Sequence, residues 1–421
     1  MLFKALAVLS ALPAFLVPGC LASWDEESSV ITNNVQWKDR AGEKVKAGRG
    51  STISEKIDGY WYMVGANSKP EIPKCNDLGG DIYIYRSKNL GSNSWEEVAK
   101  IEGKDARSCA MNKHPSGKIY LHCRRLICIS EAKDGPEGPY KCDDELDVPN
   151  FHPKSDGNTR KVGGSSTFRK GNTGDLYFVT SRAERKKGGN RFAFIYKLSS
   201  DWKSIDREAA SWEYNGRESP YVVEDNNKFY VFTSRTARWK YSRTHYKKAD
   251  SLKGLETAKE FYVDMWPPDN PKIQSMGTQF TYIQKFGDGK WMFGGRRHPE
   301  EDPCNFGEKW GSLVMTPFEF KGGTPTVYWR NSFDWLGEAS ITSTYDNHPR
   351  DSYQPDCFNN PALFEMPWGQ MKGCPWVQRK KTDIRCAKPG VTSECPVTCD
   401  AKFCDPDFCD PEKWKQKPNC P

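Results

Sequence analysis

The stretch RESPYVVEDNNKFYVFTSR, residues 217–235, contains the pattern that decides the fold. Its second half is a short aromatic strand that follows an Asn-containing turn. Its first half begins with Glu218, a small residue and a proline. The strand is otherwise built for burial, so the carboxylate at its head requires an explanation.

Five segments of the chain share a Gly- or Asn-containing turn followed by a short strand. They are GYWYMVG (59–65), GKIYLHC (117–123), GDLYFVTS (174–181), NKFYVFTS (227–234) and GKWMFGG (289–295). Aligned on Tyr62, Tyr120, Tyr177, Tyr230 and Met292, they recur every 53 to 62 residues. A near-constant period with several short strands per unit is typical of a β-propeller. The sequence therefore predicts an all-β, five-bladed propeller, and the alternative is a pair of β-sandwiches with accidental similarity.

The repeat accounts for the carboxylate at the head of the quoted stretch. In each unit a strand precedes the aromatic one, and in a propeller this first strand is innermost and lines the central channel. The heads of these strands are Arg49-Gly50, Asp105 to Ser108, Ser165-Ser166, Glu218-Ser219 and Thr278-Gln279. We therefore expect polar side chains from five units to meet at one mouth of the channel.

The N-terminus and the cysteine count indicate the compartment. A short basic start, an apolar run and the small-x-small phrase at residues 20–22 predict a secretory signal over residues 1–22, with a lipoprotein box at residues 17–20 as the alternative. Its removal would leave 14 of the 15 cysteines, an even number that favours disulfides in a secreted, extracellular protein. No later segment is long and apolar enough to cross a membrane.

Cysteine density divides the mature chain into a propeller over residues 36–345 and a cysteine-rich module over residues 351–421. Eight cysteines crowd the second region, and its phrase CPVTC (395–399) resembles small ShK-like modules of secreted enzymes. So short a segment buries little apolar area, so disulfides are expected to stabilise it, in a pairing that the sequence leaves open. A zinc site is the competing interpretation, and the compartment and the lack of histidines after His348 weigh against it.

Several phrases within residues 36–335 resemble glycoside hydrolase family 43, and more narrowly its exo-β-1,3-galactanase branch. They are DRAG (39–42), AGRG (47–50), YWYMVG (60–65), DIYIYRSKNLGSNSW (81–95), ESP (218–220), SRTARW (234–239) and TQFTYI (278–283). The order and spacing of these phrases carry the resemblance, since each one alone is short. It implies a five-bladed propeller that cleaves glycans from their non-reducing ends.

The resemblance also implies roles for individual residues. Glu218 corresponds to the general acid, Gln279 to the amide that positions the attacking water, and Asp105 to a second-blade glutamate that it replaces by a shorter side chain. Inversion would follow, with room for a water between the two catalytic groups. Trp239 is expected to stack on a sugar ring. Gly48-Arg49 and the segment from Gly164 to Thr167 depart from the family's pattern, so turnover is open, and the alternative function is a carbohydrate-binding propeller without catalysis.

A basic rim is expected around this site. Five positions after each aligned residue come Asn67, Arg125, Arg182, Arg235 and Arg297. These four arginines, with Arg49 and Ser165 at the strand heads, are predicted to bind substrate. We expect an anionic polysaccharide that bears sulfate or uronate, because guanidinium groups bind such oxyanions through paired hydrogen bonds.

Other functional classes have little support in the sequence. No metalloprotease, nucleophile-elbow, phosphate-loop or dinucleotide motif occurs, so no cofactor and no metal are predicted. Nucleic acid is an unlikely ligand, because a secreted chain with 62 basic and 55 acidic residues carries a net charge of only +7. A monomer is expected.

Overall fold

The computed structural model describes most of the region between residues 28 and 336. The described ranges are 28–33, 35–47, 49–66, 80–102, 108–149, 162–171, 173–183, 191–214, 216–235, 242–266, 274–286, 289–297, 313–336, 364–365 and 371–372. The predicted signal segment and nearly all of the predicted cysteine-rich module lie outside these ranges. Within them, no helix has the length and hydropathy that a membrane crossing requires.

The described strands form five antiparallel sheets, each of four consecutive strands. The first comprises β2 (Arg49–Ile53), β3 (Trp61–Ala66), β4 (Ile82–Ser87) and β5 (Glu96–Ile101). The second comprises β6 (Cys109–Lys113), β7 (Ile119–Cys123), β8 (Leu126–Ser130) and β9 (Lys141–Glu145). The third comprises β10 (Val162–Arg169), β11 (Leu176–Ala183), β12 (Arg191–Leu198) and β13 (Ile205–Glu213). The fourth comprises β14 (Arg217–Asp225), β15 (Lys228–Arg235), β16 (Thr244–Ala249) and β17 (Glu260–Tyr262). The fifth comprises β19 (Thr278–Lys285), β20 (Trp291–Arg297), β21 (Leu313–Lys321) and β22 (Thr324–Tyr328), with β18 (Asp264–Trp266) added in parallel to β22.

Short elements complete the described structure. The 3-10 turns are Gly135–Glu137, Lys253–Glu256 and Gln274–Gly277, and the remaining strands are β1 (Val30–Thr32), β23 (Ser332–Asp334), β24 (Phe364–Glu365) and β25 (Met371–Lys372).

The first strand of every sheet lies at the hub. Strand β2 contacts β6, β6 contacts β10, β10 contacts β14, β14 contacts β19, and β19 contacts β2, so these five strands form a closed ring. The next three strands of each sheet follow outward in chain order, and β18 lies outside them in the fifth. The prediction of a five-bladed propeller is confirmed, and the five aligned aromatic segments are the second strand of each blade.

The turn at the inner hairpin of each blade explains the Gly or Asn in the repeat. Gly59, Gly117, Gly174 and Gly289 have positive φ there, and in the fourth blade Asn226 and Asn227 both do, at 47° and 59°. Two-residue hairpin turns, as at Asn226-Asn227, require positive φ, and the longer turns place a glycine at a positive-φ position as well; Gly and Asn adopt this conformation at least cost.

The core lies between neighbouring blades. Val64 and Ile84 of the first blade and Leu121 of the second share one fully buried cluster, and similar clusters fill the other gaps. Because a neighbour covers both faces of each sheet, inner strands such as Trp61–Ala66 are buried at every position. These strands therefore appear in the sequence as continuous apolar runs.

Two contacts fasten parts of the ring that are distant in sequence. Strand β1 pairs with β23, which joins residues about 300 positions apart. Next to it, the buried amide of Asn33 donates to the carbonyls of Met315 (2.7 Å) and Arg330 (2.8 Å) and accepts from the Met315 N–H (3.0 Å).

In the second blade, disulfides join Cys109 to Cys123 and Cys128 to Cys142.

Candidate active site

The innermost strands are irregular near their heads. The pairing register shifts between Arg49 and Thr52, between Val162 and Ser165, between Glu218 and Tyr221, and between Phe280 and Tyr282. Such bulges re-aim side chains and are common beside active sites. Here they occur at equivalent places in four blades, at one end of the channel.

A cavity of about 110 Å³ lies at this end of the channel. Each blade contributes to its wall at or next to the head of its innermost strand: the contributing residues include Gly50, Ser108, Ser165, Glu218 and Gln279. The expectation that the strand heads converge at one mouth thus holds for these residues.

Two glycines keep the mouth narrow. A Cβ atom on Gly50 would lie 2.5 Å from the backbone N of Ser108, and one on Gly164 would lie 2.5 Å from Oγ of Ser219. Adjacent innermost strands therefore approach more closely than any side chain allows. At Gly164 this close approach brings the third and fourth blades together beside Glu218.

Glu218 has polar partners on two sides. Its Oε1 accepts a hydrogen bond of 2.9 Å from Nε2 of Gln279, and its Oε2 lies 3.6 Å from Nη1 of Arg191. Burial raises the pKa of Glu218, and this effect exceeds the lowering by Arg191, by a second guanidinium and by the hydrogen bond. A carboxyl whose pKa is raised retains its proton at higher pH than usual, as a general acid requires.

Arg296 provides the second guanidinium. It stands directly opposite Gln279 in the pairing of β20 with β19, and its Nη2 donates to Oε1 of Gln279 at 3.3 Å. Arg296 and Gln279 are both buried, at 7% and 6% exposure. A buried row of cation, amide and carboxyl therefore leads to the cavity.

Ser165 and Ser166 contribute hydroxyl groups to the wall. Ser166 Oγ donates to the carbonyl of Pro220 at 2.9 Å. Ser165 is 7% exposed, and its Oγ has no hydrogen-bond partner among the described residues. Because a buried hydroxyl without a partner is costly, Ser165 is placed to bind a polar ligand group.

Five further predicted site residues have side chains that the structure does not describe. Asp105 and Trp239 lie outside the described residues. Arg49, Arg182 and Arg297 lie within strands, but their side chains lie outside what the structure describes.

Arg125 and Arg235 are described and do not line the cavity. Arg125 forms an ion pair of 2.9 Å with Glu145 on the outer strand of its blade. Arg235 is exposed at the end of β15, where it pairs with Arg217 in the strand register. The end of the second strand lies one strand farther from the axis than the cavity, and substrate binding by these two arginines stays a prediction.

Sequence reasoning missed Arg191 and Arg296. Arg296 directly precedes the predicted Arg297, and a shift of one residue along a strand moves a side chain to the opposite face. Counting back through the turn of the hairpin sets Arg297 opposite Gln279, and only the bulge between Phe280 and Tyr282 shifts the pairing to Arg296. Arg191 reaches Glu218 from the neighbouring blade, a contact that no local pattern predicts.

A larger cavity, of about 700 Å³, lies at the opposite mouth of the channel. Of its charged lining residues, Arg169 lies 3.6 Å from Glu55, and Lys113 forms an ion pair with Asp58 outside the lining. Among the described residues, no cluster of three or more His, Cys, Asp or Glu side chains that could hold a metal ion occurs at either mouth. The smaller cavity is the better candidate because it combines a carboxyl of raised pKa with a buried unpartnered hydroxyl.

Comparisons with known proteins bear on the fold. No protein-family model matches the sequence, and no curated protein matches it. Solved structures do match. The exo-β-1,3-galactanase of Phanerochaete chrysosporium with galactose superposes with a TM-score of 0.56 at 16% identity, over 72% of this chain and 67% of that one. An exo-β-1,3-galactanase from Clostridium thermocellum gives 0.55 at 18% identity, over 82% and 72%. A GH43 β-1,3-galactosidase with galactodeoxynojirimycin gives 0.54 at 16% identity, over 72% and 100%. At this level of identity the likeness concerns the fold: this chain is a five-bladed β-propeller of the same architecture as these three proteins.

Proposed function

We propose that the protein is a secreted, monomeric glycoside hydrolase that removes sugars from the end of a galactan-like polysaccharide, with Glu218 as the general acid. The observation that carries the proposal is the raised pKa of this carboxyl at the wall of a cavity. Protonation of the glycosidic oxygen by such a group is the step that makes the leaving sugar a good leaving group. The fold is similar to that of proteins described as exo-β-1,3-galactanases and β-1,3-galactosidase.

The size of the cavity favours attack at a chain end. Pockets for drug-sized ligands measure roughly 300–1,000 Å³. The cavity of about 110 Å³ admits much less than that. The end of a polysaccharide fits such a space better than the middle of one, in agreement with exo action.

The distance between Glu218 and Gln279 bears on the stereochemistry. Inverting enzymes keep their two catalytic groups roughly 6.5–9.5 Å apart, with a water between them. Here the two side chains are in direct contact at 2.9 Å, so the expected room for a water is absent from this state. Inversion with Gln279 as the water-positioning amide therefore requires that the hydrogen bond opens when the sugar enters.

The charges near the acid favour a substrate that carries anionic groups. Arg191 and Arg296 both act on Glu218, and no other acidic side chain is among the described residues that line the cavity. When Glu218 carries its proton, these guanidiniums attract a sulfate or uronate. Attraction of an anionic polymer by exposed arginines of the predicted rim should then weaken as salt increases, because exposed charges are screened beyond about 10 Å at 0.1 M, whereas the buried Arg296 is screened much less.

The same observation supports a second candidate, a carbohydrate-binding propeller without catalysis. Glycosidases of this kind ordinarily use two carboxyl groups, and the described lining contains one. A cavity with one hydrogen-bonded carboxyl, buried hydroxyls and nearby guanidinium groups is sufficient to bind a carbohydrate.

The test is a digest of galactans, arabinans and sulfated algal polymers with the parent protein, Glu218→Gln and Glu224→Gln. Glu224 is the matched control, since it lies on the same strand at the opposite mouth. Sugar release that is lost only in Glu218→Gln supports the hydrolase. Polymer binding without release by all three proteins selects the binding module, and loss of release in Glu224→Gln as well would contradict the assignment of the site.

A further inference from the structure

The row that leads from β20 to the acid contains three polar side chains in sequence. Arg296 Nη2 donates to Gln279 Oε1 at 3.3 Å, and Gln279 Nε2 donates to Glu218 Oε1 at 2.9 Å. Arg296 and Gln279 are cross-strand partners, and both are more than nine-tenths buried. Their positions are therefore set by the sheet and by packing, independently of any ligand.

The chemistry of arginine fixes the direction of this row. A guanidinium has only donors, so the amide atom that faces Arg296 must be the oxygen. The –NH₂ group of Gln279 then faces Glu218, and Glu218 Oε1 must accept. Rotation of the amide by 180° would set two donors against each other at Arg296.

The direction of the row determines where the acid holds its proton. Glu218 Oε1 is occupied as an acceptor toward Gln279, so a proton on that oxygen would displace the hydrogen bond. The proton of the neutral acid therefore resides on Oε2, the atom that lies 3.6 Å from Nη1 of Arg191. That separation is too long for a hydrogen bond, so Arg191 does not compete for Oε2.

We propose that Arg296 is a positioning residue, which orients the Gln279 amide in the ligand-free site so that Glu218 holds its proton on Oε2 alone when the sugar arrives. The catalytic meaning of this arrangement rests on the proposed function, whereas the arrangement itself does not. Without Arg296 the amide oxygen loses the donor that holds it, and the proton is less strictly confined to Oε2. The remaining acid is then weaker and is aligned with its leaving group for only part of the time.

The primary test is a titration of Glu218 that needs no turnover. The side-chain carboxyl ¹³C signals of glutamate-labelled protein are followed against pH, and the Glu218 signal is assigned by its absence from Glu218→Gln. In Arg296→Met the midpoint should move up by about one pH unit, a tenfold change in acidity, because a cation and an oriented donor are both lost. Gln279→Met should move it in the same direction, and Arg296→Lys, which keeps a charged donor, should restore it most of the way.

Arg217→Met is the matched control. Arg217 precedes Glu218 in the chain, is largely buried, and its guanidinium is bound to Glu260 instead of the acid. It should lower thermal stability and leave the midpoint of Glu218 unchanged. A midpoint that Arg296→Met does not move, or that Arg217→Met moves equally, overturns the proposal.

An activity arm separates this inference from the proposed function. On a soluble aryl galactoside, Arg296→Met should lower kcat by about tenfold with little change in KM, shift the alkaline limb of kcat/KM upward, and be rescued by Arg296→Lys. If the parent protein shows no hydrolysis but the Glu218 midpoint shifts as expected, the hydrolase proposal is refuted and the positioning role stands. If Arg296→Met keeps the parental kcat and the parental alkaline limb of kcat/KM, the positioning role is refuted and the hydrolase proposal stands.

Discussion

The amide of Asn33 joins the N-terminal segment to the fifth blade, and its replacement by alanine should weaken the ring at its closure. Three hydrogen bonds are made by this one side chain, to Met315 N–H, Met315 C=O and Arg330 C=O. Asn33 is 2% exposed, so water does not readily replace the amide. The substitution therefore leaves buried backbone groups without partners.

The magnitude follows from these three bonds. Each hydrogen bond contributes about 1 kcal/mol net, and each buried group left without a partner costs about 1–3 kcal/mol. If one of the three groups finds a new partner, the loss is about 4 kcal/mol, a large share of the roughly 5–15 kcal/mol that stabilises a domain. Asn33→Asp should cost more, because a carboxylate would face two carbonyl oxygens without a donor between them.

The measurement is the free energy of unfolding from urea titration, followed by tryptophan fluorescence. The control is Thr32→Val, since Thr32 belongs to the same strand pair but its hydroxyl makes only an exposed contact of 3.2 Å with Ser332. It should change stability by less than about 0.5 kcal/mol. A loss below about 1 kcal/mol for Asn33→Ala, or a loss no greater than that of Thr32→Val, would show that the segment does not hold the ring together.

Further predictions concern single buried groups. Because the pKa of Glu218 is raised on folding, its ionisation destabilises the protein as pH rises above the unfolded pKa of 4.5. Glu218→Gln should therefore have the parental Tm at pH 4 and a higher Tm than the parent at pH 8. Equal Tm values at pH 8 would contradict this. Burial alone would raise the pKa of Glu260, but hydrogen bonds from His245 and Arg217 lower it to about 2, so its stabilisation is complete above pH 4.5 and is lost as pH falls toward 2. Glu260→Gln should therefore cost about 1–2 kcal/mol at pH 7, after allowance for partial solvent screening, and much less at pH 2.5 in the same urea assay; a cost independent of pH would refute the ion-pair account. Gly294→Ala would place a Cβ 2.1 Å from the buried ring of Tyr282, so it should destabilise by about 3 kcal/mol or prevent folding, which calorimetry and expression yield would report.

The blade structure could be predicted from the sequence because its determinants are local. A Gly or Asn at a positive-φ turn and an apolar strand after it lie within ten residues of each other and recur five times. Counting from these strands to the heads of their partners gave Glu218, Gln279 and Ser165, which the structure brings to one cavity.

The features that the sequence did not predict depend on which face of a strand a residue occupies or on contacts between residues that are distant in sequence. The sequence predicted Arg297 as the site residue, whereas the structure sets Arg296 opposite Gln279. The bulge at Phe280 and the turn between β19 and β20 decide which of the two arginines faces inward. Arg191 contacts Glu218 across a gap between blades, which has no sequence period. The closing strand β1 has three residues and no repeat of its own, so its pairing with β23 was not predicted.

That pairing also constrains when the molecule can be completed. The partners of residues 30–32, at 332–334, emerge about 300 residues later in synthesis. At roughly 5–20 residues per second, the interval is on the order of 15–60 s. Until the fifth blade has emerged, the first blade lacks its neighbour on one side, so a nascent chain exposes an apolar sheet face that a chaperone would be expected to cover.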